Sequence, residues 1–388
     1  MLTHDEAVTT AHRLAAELEP GAIQRDRDGA AVIPHDALAA LDASGLLGIT
    51  IPAADGGPGL GPRTLAEVTR ILAAADPAIA QVPQGHYLMI DILAVHGGAD
   101  ARKRLFADVL TGKRLGNALA ERGGKHAQDL RTTITDGRLT GVKYYTTGAL
   151  TSAWIAVSAL SPQGRLVLAF VPRDAPGVTV DTDWDVIGQR ATISGTATFR
   201  DVPVELVVDY ASAYEVPQQL GARAQLVHTA IEAGIAGAAL RDARAYLRST
   251  ARPSTEAIRA GHGSAAEDPH VRHRYGRLAA RVRAAEALLE SAAGTLDEIG
   301  LIPRSAEEAA RGSLTVAAAK AFASEVAVDA GSEIFALCGT SAAASKWDLD
   351  RHWRNARTHS VHDPLDWKYA HIAAYDLSDV LPPNHGQL

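Results

Sequence analysis

The chain has 388 residues, of which 21% are charged, with a formal net charge of −7 and no block of basic residues. That balance excludes a nucleic-acid-binding surface as its organising feature, and no run approaches the ~18 uninterrupted apolar residues of a membrane span. The opening Met1-Leu2-Thr3-His4-Asp5-Glu6 lacks the basic and apolar regions of a secretory signal, so a cytoplasmic location is expected, and the single Cys338 reads as a small core residue.

Taken in chain order, residues 1–112 read as a helical N-terminal domain. Ala-, Leu- and Glu-rich segments from Glu6 to Glu19, Pro34 to Gly45 and Thr64 to Ala75 are separated by Pro and Gly, which break helices by removing an N–H or adding backbone freedom. A further helix is predicted through Gly85 to Ile90. The stretch from Ile51 to Gly61 is too rich in glycine to continue any helix; it reads as an ordered turn, a mobile lid or a plain surface connection.

Residues 113–212 change texture and read as a small β-barrel middle domain. Short β-branched or aromatic runs from Arg138 to Tyr145, Leu166 to Val171, Val178 to Val180 and Thr196 to Val204 are bounded by Asp-Gly, Gln-Gly and Pro-Gly turns. Residues 213–388 return to helix. Val227, Ile231, Ile235 and Ala238 keep one apolar stripe, and Val271, Tyr275, Leu278, Val282, Ala285 and Leu289 keep another. Ser305-Ala306-Glu307-Glu308 reads as a capping box opening a third long helix toward Cys338. Ser249 to Asp268, rich in Gly, Ser and Pro, reads as a long loop. Alanine-lined amphipathic helices pack closely side by side, so a C-terminal four-helix bundle is the natural sum.

Near the C-terminus, Arg351, Arg354 and Arg357 are interleaved with His352, Asn355, His359, His362 and Asp363. As a helix running to the Pro364 stop, this segment puts His352, Asn355, His359 and His362 on one face. A solvated polar helix is the plain reading. The neighbours Trp353, Val361 and Trp367 favour partial burial, where imidazoles titrate or donate near neutral pH.

Several stretches together resemble the acyl-CoA dehydrogenase fold: Gly48-Ile49-Thr50-Ile51-Pro52 with Gly56-Gly57-Pro58-Gly59, Trp184 to Gly188 with Ser194, Gly195 and Phe199 to Pro203, and Cys338-Gly339-Thr340 leading to Arg354-Asn355-Ala356-Arg357. The resemblance implies an α+β architecture with a helical N-terminal domain, a β middle domain and a C-terminal bundle. Many dehydrogenases of this fold take their catalytic base from a Glu-Gly pair after the arginine stretch. The matching pair here is Asp363-Pro364, one methylene shorter and with its backbone fixed by proline. The run from Arg354 to Pro364, followed by Trp367-Lys368-Tyr369, instead resembles the flavin-dependent monooxygenase branch of the superfamily, of the dibenzothiophene monooxygenase and sulfur-acquisition oxidoreductase type.

That resemblance implies a two-component enzyme. A separate NAD(P)H-flavin reductase supplies diffusible reduced FMN, O₂ adds as a C4a-hydroperoxide, and oxygen passes to a small sulfur, nitrogen or aromatic substrate. It also implies a homotetramer or homodimer. Carried over residue by residue, the catalytic positions are His86, Asn117, His359, His362 and Asp363, and the cofactor-binding positions are Thr146, Thr147, Trp184, Arg252, Gly339 and Thr340. His86, Asn117 and His362 would steady the peroxide or protonate its departing oxygen. Thr146 would hydrogen-bond the ring near N5, Arg252 would offer a fork to the phosphate, and Asp363 would fix an imidazole tautomer. No metal is implied.

Competing readings stand beside these. His86 could be a satisfied core histidine, Asn117 and Thr146 turn caps, and Arg252 half of a surface ion pair. The chain could be a divergent acyl-CoA dehydrogenase or other FAD oxidoreductase, using Asp363 or Glu232 as base, or a helical scaffold without flavin. Substrate size is expected to depend on the connection after Arg252 and on the turn Gly123-Gly124-Lys125-His126.

Overall fold

The computed structural model describes residues 2–125, 129–385 and 388, so His126 of the expected pocket turn lies outside the described residues. Seven helices open the chain: α1 (His4–Leu18), α2 (Ala22–Asp28), α3 (His35–Ala43), α4 (Pro62–Ala75), α5 (Pro77–Gln81), α6 (Gln84–His96) and α7 (Ala99–Leu110). A capping box starts α1: the Thr3 hydroxyl accepts from the Glu6 N–H while the Glu6 carboxylate accepts from the Thr3 N–H at 2.8 Å. Ala7, Ala11, Leu14 and Leu18 then recur at helical spacing and are buried. The glycine-rich stretch after α3 is an ordered turn. Gly59 and Leu60 donate to Ile51 and Ile49 at 2.8 Å, and Arg102 grips Asp55 at 2.7 Å. A Cβ on Gly57 would lie 2.3 Å from the Ile51 carbonyl oxygen, so only glycine fits.

Eight strands follow: β1 (Leu115–Ala118), β2 (Thr133–Thr135), β3 (Arg138–Lys143), β4 (Trp154–Leu160), β5 (Leu166–Pro172), β6 (Val178–Val180), β7 (Ala197–Pro203) and β8 (Leu206–Asp209). Where a small barrel is expected, they form one mixed sheet in the order β6-β7-β3-β2-β4-β5-β8, with β1 alongside β4. The β1–β4 and β2–β4 pairs are parallel, and the others are antiparallel. Sequence pattern misses β1, β2, β4 and β8. In β4 the cause is burial on both faces, which gives a continuous apolar run instead of alternation.

The remaining helices are α8 (Leu220–Ser249), α9 (Thr255–Arg259), α10 (Pro269–Ile299), α11 (Ala306–Cys338), α12 (Asp350–Ser360) and α13 (Leu365–Ser378). α9 interrupts the loop expected from Ser249 to Asp268, started by the Ser254 hydroxyl accepting from the Ala257 N–H. Ser305 caps α11 through the Glu308 N–H, but the Glu308 carboxylate turns to the Arg304 N–H, so only half of the expected box forms. Ala66 of α4 packs with Leu226 of α8, Leu289 of α10 and Val316 of α11, so the N-terminal helices and the bundle share one core. Each fully buried leucine there contributes about 1.5–3 kcal/mol. No described helix is long and apolar enough to cross a membrane.

Candidate active site

Three bodies meet at the site: the α5–α6 corner, one edge of the sheet, and the α8–α12 face of the bundle. The corner touches both others. Gln81 at the end of α5 lies 3.1 Å from His359 Nε2, while a Cβ built on Gly85 at the start of α6 would come within 2.7 Å of the Asn117 Cβ on β1. Glycine is required there because β1 approaches the helix backbone directly.

On the sheet side a chain of neutral groups runs from β1 to α12. The Asn117 N–H donates to the Thr147 carbonyl, the Thr147 and Ser194 hydroxyls are 2.7 Å apart, Ser194 donates to Thr192, and Thr192 donates to the Gln189 carbonyl. The Gln189 N–H then donates to Asn355 Oδ1 of α12 at 2.5 Å. Gln189 is left-handed, with φ 54°, and neighbouring Gly188 could not carry a Cβ, which would overlap the Arg354 carbonyl. Three buried atoms along this seam have no partner among the described residues: Asn117 Oδ1 and both side-chain heteroatoms of Gln189. Buried polar atoms are normally paired, so these mark a place for an exogenous polar group.

On the bundle side, α12 ends at Ser360. His352, Asn355 and His359 therefore share its buried face as expected, whereas His362 lies beyond the helix in the turn to α13. His359 is buried, with Nδ1 2.8 Å from Glu232 Oε1 and Nε2 3.0 Å from His228 Nδ1. Glu232 and Lys320, both fully buried, approach at 3.5 Å. The His228 and His362 rings lie 4.2 Å apart, tilted by 38°. His362, 49% exposed, sits 3.4 Å from Asp363, whose other oxygen is 2.5 Å from Lys368 Nζ.

Burial disfavours charge on His228 and His359. The cationic neighbours of His228 push it the same way, well below the ordinary value, whereas Glu232 pulls His359 part of the way back. Burial pushes the Asp363 carboxyl up, but the His362 hydrogen bond and the Lys320 and Lys368 charges outweigh it and hold the group below the usual carboxylate range. Burial pushes the Lys368 ammonium down.

Other expected site residues are placed differently. His86 is fully buried, and its Nδ1 accepts from the Leu115 N–H, so Nε2 carries the proton and donates to the Leu47 carbonyl. Both ring nitrogens are thus committed to main chain, burial pushes the group down to about 4, and His86 is a satisfied core histidine that fastens β1 to the N-terminal helices. The Thr146 hydroxyl is fully buried and donates to the Gly195 carbonyl at 2.8 Å, leaving the partly open Thr147 hydroxyl better placed for a ligand. Trp184 donates to the Gln189 carbonyl and meets Tyr145 edge-on, bracing the seam.

The structure does not bring Arg252, Gly339 and Thr340 to this cluster. At 1.5 Å per residue, α8 carries the chain about 30 Å from His228 to Ser249 before Arg252 is reached. The Tyr246–Ser341 hydrogen bond places Gly339 and Thr340 at that same far end. Arg252 is exposed and makes no ion pair among the described residues. His228, Lys320, Gln81 and Gln189 join the site without a motif in the sequence to mark them. A signal existed for two of them: His228 and Glu232, like Lys320 and Ser324, are polar residues four apart in alanine-rich helices.

Comparison with known proteins gives two family matches: Acyl-CoA dehydrogenase, N-terminal domain, over residues 3–113, and Acyl-CoA dehydrogenase, C-terminal domain, over residues 226–367. A dibenzothiophene monooxygenase of Mycolicibacterium goodii is 31% identical, covering 98% of this chain and 95% of its own. A probable FMNH₂-dependent monooxygenase, SfnC, of Pseudomonas putida is 32% identical over 97% and 96%. The structure of methanesulfinate monooxygenase MsuC from Pseudomonas fluorescens superposes with a TM-score of 0.90 at 32% identity, covering 100% of both chains.

Proposed function

The chain belongs to the acyl-CoA dehydrogenase family, and on that premise we propose that it is a two-component monooxygenase, taking reduced FMN from a separate NAD(P)H-flavin reductase and using O₂ to oxygenate a small sulfur compound. The observation that carries the reading is the ion pair of Asp363 with Lys368 beside three imidazoles. A carboxylate held by a buried ammonium is a poor base for an α-proton, which disfavours the FAD-dependent dehydrogenase reading. A half-open imidazole beside a fixed carboxylate is a good proton donor.

Reduced FMN, when bound, supplies the electrons that activate O₂, one oxygen atom going to the substrate and the other to water. The unpartnered atoms of Asn117 and Gln189 and the Thr147 hydroxyl fit the alternating donors and acceptors of a flavin's polar edge. His362 gives up the proton and Asp363 holds its ring. His359 acts behind them, and His86 keeps β1 and Asn117 in place. Arg252, Gly339 and Thr340 reach a flavin only from a neighbouring subunit, so the working form is a homo-oligomer. Exposed Trp367, Tyr369 and Leu377 on α13 offer apolar surface for such contacts. A cytoplasmic setting, with NAD(P)H at hand for the reductase, goes with this reading.

The test mixes the protein with chemically reduced FMN, ¹⁸O₂ and a panel of small sulfides and sulfinates. One ¹⁸O atom per product molecule, formed only with protein present, is the expected result. Tightly retained FAD reduced by an acyl-CoA, with no labelled product, would refute the proposal.

A further inference from the structure

The buried polar cluster extends past its ion pair. On α8, His228 and Glu232 stand four residues apart; on α11, Lys320 and Ser324 do the same, and His359 of α12 closes the gap. The groups facing the imidazoles are Gln81 from α5, Glu232 from α8, Lys320 from α11, Asp363 from the turn and Lys368 from α13.

The hydrogen bonds fix the protons in sequence. The Glu232 carboxylate only accepts, so His359 Nδ1 carries the proton between them. A neutral His359 then has a bare Nε2, which accepts from His228 Nδ1–H at 3.0 Å. Gln81 Oε1 stands 3.1 Å from the same nitrogen, a contact that becomes a hydrogen bond to a bare Nε2 only with the carboxamide turned to present its N–H. His228, protonated on Nδ1, is left with a bare Nε2 to which no described residue hydrogen-bonds. A second proton on His228 would sit among the charges of Lys320 and Lys368.

We propose that Glu232 is a positioning residue: acting through His359, it locks His228 as a neutral ring with a bare Nε2, so that His362 alone exchanges protons with the site. The use made of that proton rests on the monooxygenase reading. Oxygenation by anionic reduced flavin takes up one proton per turnover. The flavin's hydride equivalent and that proton leave with one oxygen atom as water, while the second oxygen bonds to sulfur. His362 is the one imidazole of the three open to solvent, and so the one that can be reloaded.

Long-range ¹H–¹⁵N spectra of the flavin-free full chain, labelled at histidine, read each ring's tautomer. The wild type should show Nδ1–H with bare Nε2 on both His228 and His359 between about pH 6 and pH 8. Glu232→Gln should release that order, because an amide donates as readily as it accepts. Lys320 would then be buried without its counter-ion, so Glu232→Gln/Lys320→Met is made in parallel and should show the same release. A proton on His228 Nε2 in the wild type, or unchanged tautomers in both variants, would overturn the proposal. With reduced FMN and a sulfide, both variants should also shift the pH dependence of the product-to-peroxide ratio. Tautomer order without any oxygenation would refute the function and leave the positioning role standing. Oxygenation with a pH profile identical in wild type and both variants would remove the positioning role alone.

Discussion

The Asp363 carboxylate and the Lys368 ammonium face each other at 2.5 Å, each only 2% exposed. The carboxylate that the resemblance aligns with a dehydrogenase base is here spent on an ion pair. Breaking a buried pair leaves one charge stranded, at a cost of about 3–5 kcal/mol. Lys368→Met should therefore lower the unfolding free energy extrapolated from urea melts by an amount in that range, without conferring acyl-CoA oxidation. A variant that oxidises an acyl-CoA would show that the pair merely masks a dehydrogenase.

His362→Ala should leave FMN affinity nearly intact while diverting turnover from product to hydrogen peroxide. Product and peroxide assayed in the same reaction decide it: unchanged coupling would remove His362 from the chemistry.

Asn117 keeps a buried carbonyl oxygen without a partner, a condition that costs about 1–3 kcal/mol. Asn117→Ala should hold or raise the melting temperature of the flavin-free protein and depress oxygenation at least tenfold. A variant both less stable and fully active would identify Asn117 as a structural residue.

Arg252 is exposed, and its removal should not affect the fold. Arg252→Ala should weaken FMN binding by about 1.5–3 kcal/mol, the worth of a hydrogen bond to a charged group. Fluorescence titration gives the affinity and sedimentation the assembly state; an unchanged Kd would withdraw the phosphate assignment.

Acid sensitivity follows from the buried neutral histidines. A histidine in the unfolded chain binds a proton below about pH 6.5, whereas folded His86 does so only near 4. Between those values the unfolded state holds the extra proton, so stability falls as pH falls. For His86 alone the loss is on the order of 3 kcal/mol by pH 4, and His228 and His359, also shifted down by burial, add to it. Urea melts from pH 7.5 to 4.5 should show the decline, and His86→Gln should flatten part of it. A flat profile would mean that these rings take up protons at the same pH in the folded protein as in the unfolded chain.

Much of the architecture is legible in the sequence because helices announce themselves locally. The stripes on α8 and α10 and the Ser305 cap are visible within one or two turns. What hides is what depends on partners distant in the chain. Whether a histidine donates or merely packs cannot be told from its neighbours, and His86 is tied to Leu47 and Leu115. His228 and Glu232 look like stray polar residues until His359, over 120 positions away, is folded between them. Arg252, matched by resemblance, is placed by α8 where its own chain's cluster cannot use it.

The hydroxyl and amide ladder from Thr147 through Ser194, Thr192 and Gln189 to Asn355 contains no charge. Dissolved ions shield exposed charges within about 10 Å at ordinary ionic strength, but leave neutral buried bonds untouched. The join between sheet and bundle should therefore hold the same shape in dilute buffer and in strong brine. The exposed Arg252 guanidinium has no such protection. Added salt should slow flavin capture while leaving the fraction of captured flavin that yields product unchanged.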